Sequence, residues 1–232
     1  MKNENHLLLT ENDRDENDLL PRRIKGVSVW DHLKNDLLYP DQVFPVEAML
    51  RAEPLSTGLV LGQIVIPTGM GKSMIANALI ANLADNKDGA GLFTFASPTI
   101  VLGAQLLMET IILMAACGIK DVSYMTVNSD VITVLNRKQR RWVNKVFGVN
   151  INIERNNMNS KVISEFIEKN KKKGIHTILS STYHSMYRIL EACEEGGHII
   201  DCHINDEPQK LVSDQFESLT SIRKEELAYE LD

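Results

Sequence analysis

At 232 residues and 44% hydrophobic content, the chain can bury one substantial core, and its length favours one domain over two. A formal net charge of −6 excludes a surface that is basic throughout, so any face that binds a polyanion must be local. Three cysteines, Cys117, Cys193 and Cys202, sit inside apolar segments at no metal-ligand spacing, which fits buried thiols in a reducing cytoplasm better than a disulfide framework.

Residues 1–18 are rich in Asn, Glu and Asp, with neither a positive start nor an apolar core. They read as part of a polar extension over 1–37 rather than a signal peptide or anchor, with the folded domain over 38–232. A first strand is expected over 59–66. It runs into Pro67-Thr68-Gly69-Met70-Gly71-Lys72-Ser73 and then a helix over 73–83. Gly69 and Gly71 carry no Cβ, so successive backbone N–H groups can turn inward at the positive end of the following helix. That geometry suits a phosphate cradle. Lys72 is placed to reach the β/γ-phosphates of a nucleotide and Ser73 to ligate Mg²⁺. The alternative is an ordinary strand-to-helix turn, and the rest of the chain must decide.

A strand over 91–95 ends in Ala96-Ser97-Pro98-Thr99 and leads into an apolar helix over 100–117. Gln105 and Glu109 mark that helix as a core element rather than a membrane span. After a strand over 122–127 the rhythm breaks across 129–159, where Arg137, Lys138, Arg140, Arg141 and Lys145 surround Trp142. Cations around an aromatic ring suit a single-strand groove, but a solvated helix face is the favoured reading. A helix over 161–169 follows. Its lysines, from Lys169 to Lys173, are explained by the helix C-terminal dipole before Gly174.

Next come a strand over 177–180, the residues Thr182-Tyr183-His184-Ser185, and a helix over 185–193. The last apolar stretch, Ile199, Ile200, Cys202 and Ile204, is interrupted by Asp201 and His203 and ends in Asp206-Glu207-Pro208-Gln209. Alternating strands and helices predict an α/β fold with a doubly wound, mainly parallel sheet.

The Pro67 to Ser73 loop resembles motif I of superfamily two helicases and translocases, in which the strand runs directly into Pro-Thr-Gly. Asp206-Glu207-Pro208-Gln209 resembles motif II, the DExx box, of the same superfamily. Ala96 to Thr99 looks like motif Ia, and the segment around Thr182 to Ser185 resembles the Ser-Thr-Tyr-Gln-Ser stretch that often precedes motif II, with His184 in place of glutamine. Leu38-Tyr39-Pro40-Asp41-Gln42 is similar to the element that reads adenine, although Tyr39 and Asp41 replace its arginine and aromatic residue. The relation extends to the helicase subunits of type I and type III restriction enzymes.

The resemblance implies a single RecA-like P-loop domain that binds ATP and Mg²⁺. Pro67, Thr68, Gly69, Met70, Gly71, Lys72 and Ser73 would hold the nucleotide, with Gln42 pairing to the adenine edge or serving as an ordinary loop glutamine. Ser73 and Asp206 would hold Mg²⁺, Glu207 would be the general base, and Lys72 would stabilise the transferring phosphate. Pro98, Thr99, Thr182, Tyr183, His184 and Ser185 would touch a DNA or RNA backbone. Capping of the two helices by Thr99 and Ser185 is compatible with that role.

Enzymes of this superfamily work as two RecA-like domains with ATP between them, and the second contributes arginines. The chain ends at Asp232 with no segment resembling a second domain after motif II. It is therefore expected to be the ATP-binding half of a nucleic-acid-dependent ATPase, truncated or completed by another chain. The alternative is a nucleotide- and nucleic-acid-binding module with negligible turnover. An unrelated P-loop kinase fits less well, because it would not explain Ser97-Pro98-Thr99 and Thr182 to Ser185. No membrane partner is expected, and the cytoplasm is the expected location.

Overall fold

The computed structural model describes residues 20–56, 60, 62–67 and 69–207. Three short helical segments come first: α1 (Val29–His32), a π-helical turn (Leu33–Leu37) and α2 (Pro40–Arg51). The alternating body follows with α3 (Lys72–Asn86), β1 (Leu92–Ser97), α4 (Ile100–Ala116), β2 (Val122–Val127) and α5 (Arg137–Phe147). It closes with β3 (Asn152–Ile153), α6 (Ser160–Lys172), β4 (His176–Thr182), α7 (Met186–Gly196) and β5 (Cys202–Asn205). The strands form one five-stranded sheet in the order β3-β2-β4-β1-β5, and every neighbouring pair is parallel.

Side chains alternate across the strands and so feed two cores. Phe93, Phe95, Tyr124 and Ile178 point to one face and pack with residues of α1 to α5. Leu92, Met125, Val127 and Leu179 point to the other, where they meet Ile163, Phe166 and Ile167 of α6 and Ile189, Ala192 and Cys193 of α7. Helices on both faces of a parallel sheet make the doubly wound α/β architecture expected from the alternation. α4 is buried along most of its length, from Gly103 to Ala116, because it is apolar nearly all round. Val29 and Leu33, which precede residue 38, are fully buried in the larger core.

One expected element differs. Residues 60 and 62–66, the described part of the strand expected over 59–66, form no strand, and Val65 is 80% exposed. A strand needs a hydrogen-bonding neighbour. Among the described residues the sheet runs from β3 to β5, and the apolar run Ile64-Val65-Ile66 pairs with neither edge. The break in rhythm over 129–159 is the amphipathic helix α5 followed by the two-residue strand β3.

No helix among the described residues is long and apolar enough to cross a membrane. The three cysteines are free thiols, and burial pushes Cys117 up to about 12 and Cys202 up to about 11, which leaves both protonated and unreactive at neutral pH.

Candidate functional site

The glycine loop takes its shape from two left-handed residues, Gly69 at φ +86° and Gly71 at φ +75°, a region that favours glycine. The Met70 N–H donates to the Pro67 carbonyl at 3.3 Å, which closes the turn. Gly71 then caps α3 without a side-chain hydrogen bond, and no acidic residue stands in the first turn. The first N–H groups and the positive end of a 15-residue helix are therefore left without a side-chain acceptor. Lys72 is the first residue of α3 and is exposed, and Ser73 beside it is half-buried. Thr68 lies outside the described residues.

Gln42 is built into this loop. It is buried on α2, its Oε1 accepts the Tyr39 N–H at 3.0 Å, and its Nε2 donates to the Met70 carbonyl at 3.1 Å. A Cβ at Gly71 would fall on the Gln42 amide, so the second glycine is required by close approach as well as by its φ. The amide keeps one N–H and one lone pair, the pair of groups that the edge of an adenine would engage.

A second group of expected site residues gathers where three parallel strands end. β1 finishes at Ser97, whose Oγ donates to the Thr99 carbonyl at 2.9 Å, and the exposed Thr99 caps α4 by accepting the Leu102 N–H at 3.3 Å. Pro98 between them is half-buried. β4 finishes at Thr182, whose Oγ1 donates to Ser185 Oγ at 3.0 Å and accepts the Ser185 N–H at 3.2 Å. These two hydroxyls are buried against each other, so His184 is the exposed residue of the turn and the half-buried Tyr183 stands beside it.

Beyond β5, the Asp206 N–H donates to the Ala96 carbonyl at 2.9 Å, and Glu207 takes a left-handed φ of +54°. Both acidic residues are half-buried. The Tyr183 hydroxyl donates to the Asp206 carbonyl. Burial, reinforced by the charges of Asp206 and Glu207, pushes the Tyr183 phenol up to about 12 and keeps it a neutral donor. Pro208 and Gln209 lie outside the described residues.

The structure thus groups Gln42 with Met70 and Gly71, and groups Ser97 to Thr99, Thr182 to Ser185 and Asp206-Glu207 at the C-terminal ends of adjacent strands. In an open α/β sheet that end is where ligands are held. Ser73 and Asp206 offer oxygen donors of the kind a hard divalent cation takes, so the residues expected to hold Mg²⁺ fit its chemistry.

Two supporting residues were not singled out from the sequence. Asn128, buried at the end of β2, accepts the Thr182 N–H through Oδ1 at 3.1 Å. Asn156 grips Asn128 in turn, accepting its N–H at 2.9 Å and donating to its carbonyl at 2.8 Å. Asn156 belongs to an asparagine-rich stretch with Asn157 and Asn159, but nothing local in that stretch says that one member will brace another loop.

Asp201 and His203 also find partners in the fold. Asp201 accepts the Leu92 N–H at 2.8 Å and pairs with Lys87 at 2.5 Å, and His203 Nδ1 lies 2.7 Å from Thr94 Oγ1. A polar interruption of an edge strand is tolerated because each group is satisfied.

A search of curated proteins finds no match. Among solved structures, a nuclease-deletion mutant of the Type ISP restriction-modification enzyme LlaGI, in complex with a DNA substrate mimic, shares the fold with a TM-score of 0.56 at 22% identity. The match covers 73% of this chain, and this chain spans 15% of the length of that one. The helicase-related RecA-like domain that the motifs imply agrees with this sheet and its order. The family model described as the type III restriction enzyme, res subunit, matches residues 38–230, and the chain belongs to that family.

Proposed function

We propose that this chain is the ATP-binding half of a nucleic-acid-dependent ATPase of the helicase and translocase type, working with a second RecA-like domain. The observation that carries the reading is the loop over 67–73. Two left-handed glycines deliver the chain to the uncapped start of α3, with Lys72 exposed beside it and Gln42 bracing the turn. Backbone N–H groups there would hold the phosphates of ATP while Lys72 screens their charge. Mg²⁺, when bound, would neutralise charge on the β- and γ-phosphates, with Ser73 and Asp206 as its protein ligands. Glu207 would orient the attacking water and take its proton.

The nucleic-acid half of the reading is supported by the turns after β1 and β4. Both end at helix starts, where an exposed Thr99 and an exposed His184 can meet a sugar-phosphate backbone without reading bases. Their proposed partner is a DNA strand, with RNA the other candidate, and contact of this kind is salt-sensitive and independent of sequence.

Calorimetric titration of ATP·Mg²⁺ into wild type and Lys72→Ala tests the cradle. The variant should lose about tenfold or more in affinity, the cost of a charge-assisted bond of about 1.5–3 kcal/mol. Equal affinities in two folded proteins would overturn the assignment.

A further inference from the structure

β4 and β5 do not pair with each other, because β1 lies between them. Their C-terminal turns are nevertheless joined across the end of β1. The Tyr183 N–H donates to the Ser97 carbonyl at 3.1 Å, the Asp206 N–H donates to the Ala96 carbonyl at 2.9 Å, and the Tyr183 hydroxyl closes the ring on the Asp206 carbonyl. One residue therefore holds the turn after β1 with its backbone and the acidic turn with its side chain.

We propose that Tyr183 is a positioning residue that transmits nucleic-acid occupancy at the turn after β4 to the carboxylates after β5. This rests on the ATPase reading above and assigns the coupling between its two ligands to one hydroxyl.

The peptide geometry makes the link specific. The Asp206 carbonyl belongs to the planar peptide whose nitrogen is Glu207, so a donor on that oxygen fixes the plane from which Glu207 sets its φ. Glu207 sits at φ +54°, a region a non-glycine residue rarely adopts without being held there. Rotating the 206–207 peptide would redirect the Glu207 carboxylate, the group proposed to orient water.

At the other end, the turn is stiff. Asn128 holds the Thr182 N–H, and Thr182 and Ser185 bond each other, so a strand pressing on His184 displaces the turn and the Tyr183 ring together. Tyr183 is only half-buried, which leaves its ring room to follow.

The test measures coupling on the full chain. ATP·Mg²⁺ affinity is determined with and without a saturating single-stranded oligothymidylate, for wild type and Tyr183→Phe. Wild type should show an affinity change of about fivefold or more on adding the oligonucleotide, and Tyr183→Phe should reduce it to within about twofold. The ratio is read rather than either affinity, so a strand contact that is merely weakened cancels once the oligonucleotide is saturating.

Amide hydrogen exchange at Glu207 gives a second readout. The oligonucleotide should change it in wild type and leave it unchanged in Tyr183→Phe. If the variant does not fold, the wild-type exchange decides, and an unchanged Glu207 amide overturns the proposal. Coupling in Tyr183→Phe equal to wild type overturns it, as does a wild-type chain that binds the two ligands independently or binds ATP alone. A wild-type chain that binds no ATP even without oligonucleotide overturns the functional reading itself, and the titration without oligonucleotide identifies that case.

Discussion

His176 opens β4, and its Nδ1 accepts the Gly91 N–H at 2.9 Å, so the fold uses the imidazole as a neutral acceptor. Burial lowers its pKa from the ordinary value of 6.5 against the opposing charges of Asp121 and Asp201, and Lys87 adds a smaller lowering. The native state therefore binds this proton less readily than the unfolded chain. The stability tied to the neutral ring is present above the unfolded value and is lost as the pH falls below about 6.5 towards the lowered native value.

His176→Gln, which keeps an acceptor but cannot titrate, should unfold in urea with a flatter pH dependence than wild type across that window. Parallel pH profiles for the two proteins would show that the ring does not carry this linkage. His203, lowered by burial as well, remains in both proteins and cancels in the comparison.

At the scale of elements, α5 shows how local chemistry fixes a boundary. Asn136 accepts the N–H groups of Lys138 and Gln139 at 2.9 Å, and Gln139 accepts the Asn136 N–H at 2.9 Å, a reciprocal capping box. Gly148 stops the helix at φ +65°. Asn136→Ala should cost about 1 kcal/mol in urea unfolding with little change in the denaturant slope. A loss near zero would mean that packing of Val143 and Phe147 alone sets the helix start.

The same helix answers how its cations are used. Trp142 is half-buried, meets Phe147 edge-on at 6.4 Å and packs on the core, so it is not an open stacking platform. Arg137, Arg141 and Lys145 remain on the exposed face, as the solvated-face reading has it.

The apolar run of α4 and the clustered β-branched and aromatic residues of β1, β2 and β4 made those elements legible in the sequence, because buried positions favour such residues. The Ile64-Val65-Ile66 run misled the same reasoning: hydrophobicity marks a segment for pairing but does not supply the neighbour. In the candidate site, the glycines of the loop and the Asp206-Glu207 pair were legible because their chemistry lies in adjacent residues. The brace from Asn128 to Thr182 and the link from Tyr183 to Asp206 were not. Each depends on the register of strands far apart in the chain, and no short-range pattern encodes register.

For the whole molecule, the decisive question is where a cation for the transferring phosphate comes from. Among the described residues, Arg23, Arg51 and Arg188 are paired with Asp85, Glu47 and Glu191, and Arg22 lies over the Phe147 ring at 5.9 Å. Arg137, Arg140 and Arg141 sit on α5, in the crossover from β2 to β3, and Arg155 follows β3. The acidic turn follows β5, three strand positions away from β2. At about 4.8 Å per strand that is roughly 14 Å across the sheet, beyond the hydrogen-bond reach of a guanidinium held on α5.

Lys72 can screen ground-state charge, but an arginine supplied at the transition state is typically worth about 10³–10⁵ in rate for P-loop hydrolases. The isolated chain should therefore bind ATP and hydrolyse it barely above background, with no strand separation. Addition of a second RecA-like domain should restore turnover stimulated by nucleic acid, and Glu207→Gln should abolish it while leaving ATP binding in place. Robust, Glu207-dependent turnover by the 232-residue chain alone, measured as phosphate release, would contradict the half-motor reading. Turnover that rises steeply with protein concentration would instead locate the missing cation on a second copy of the chain.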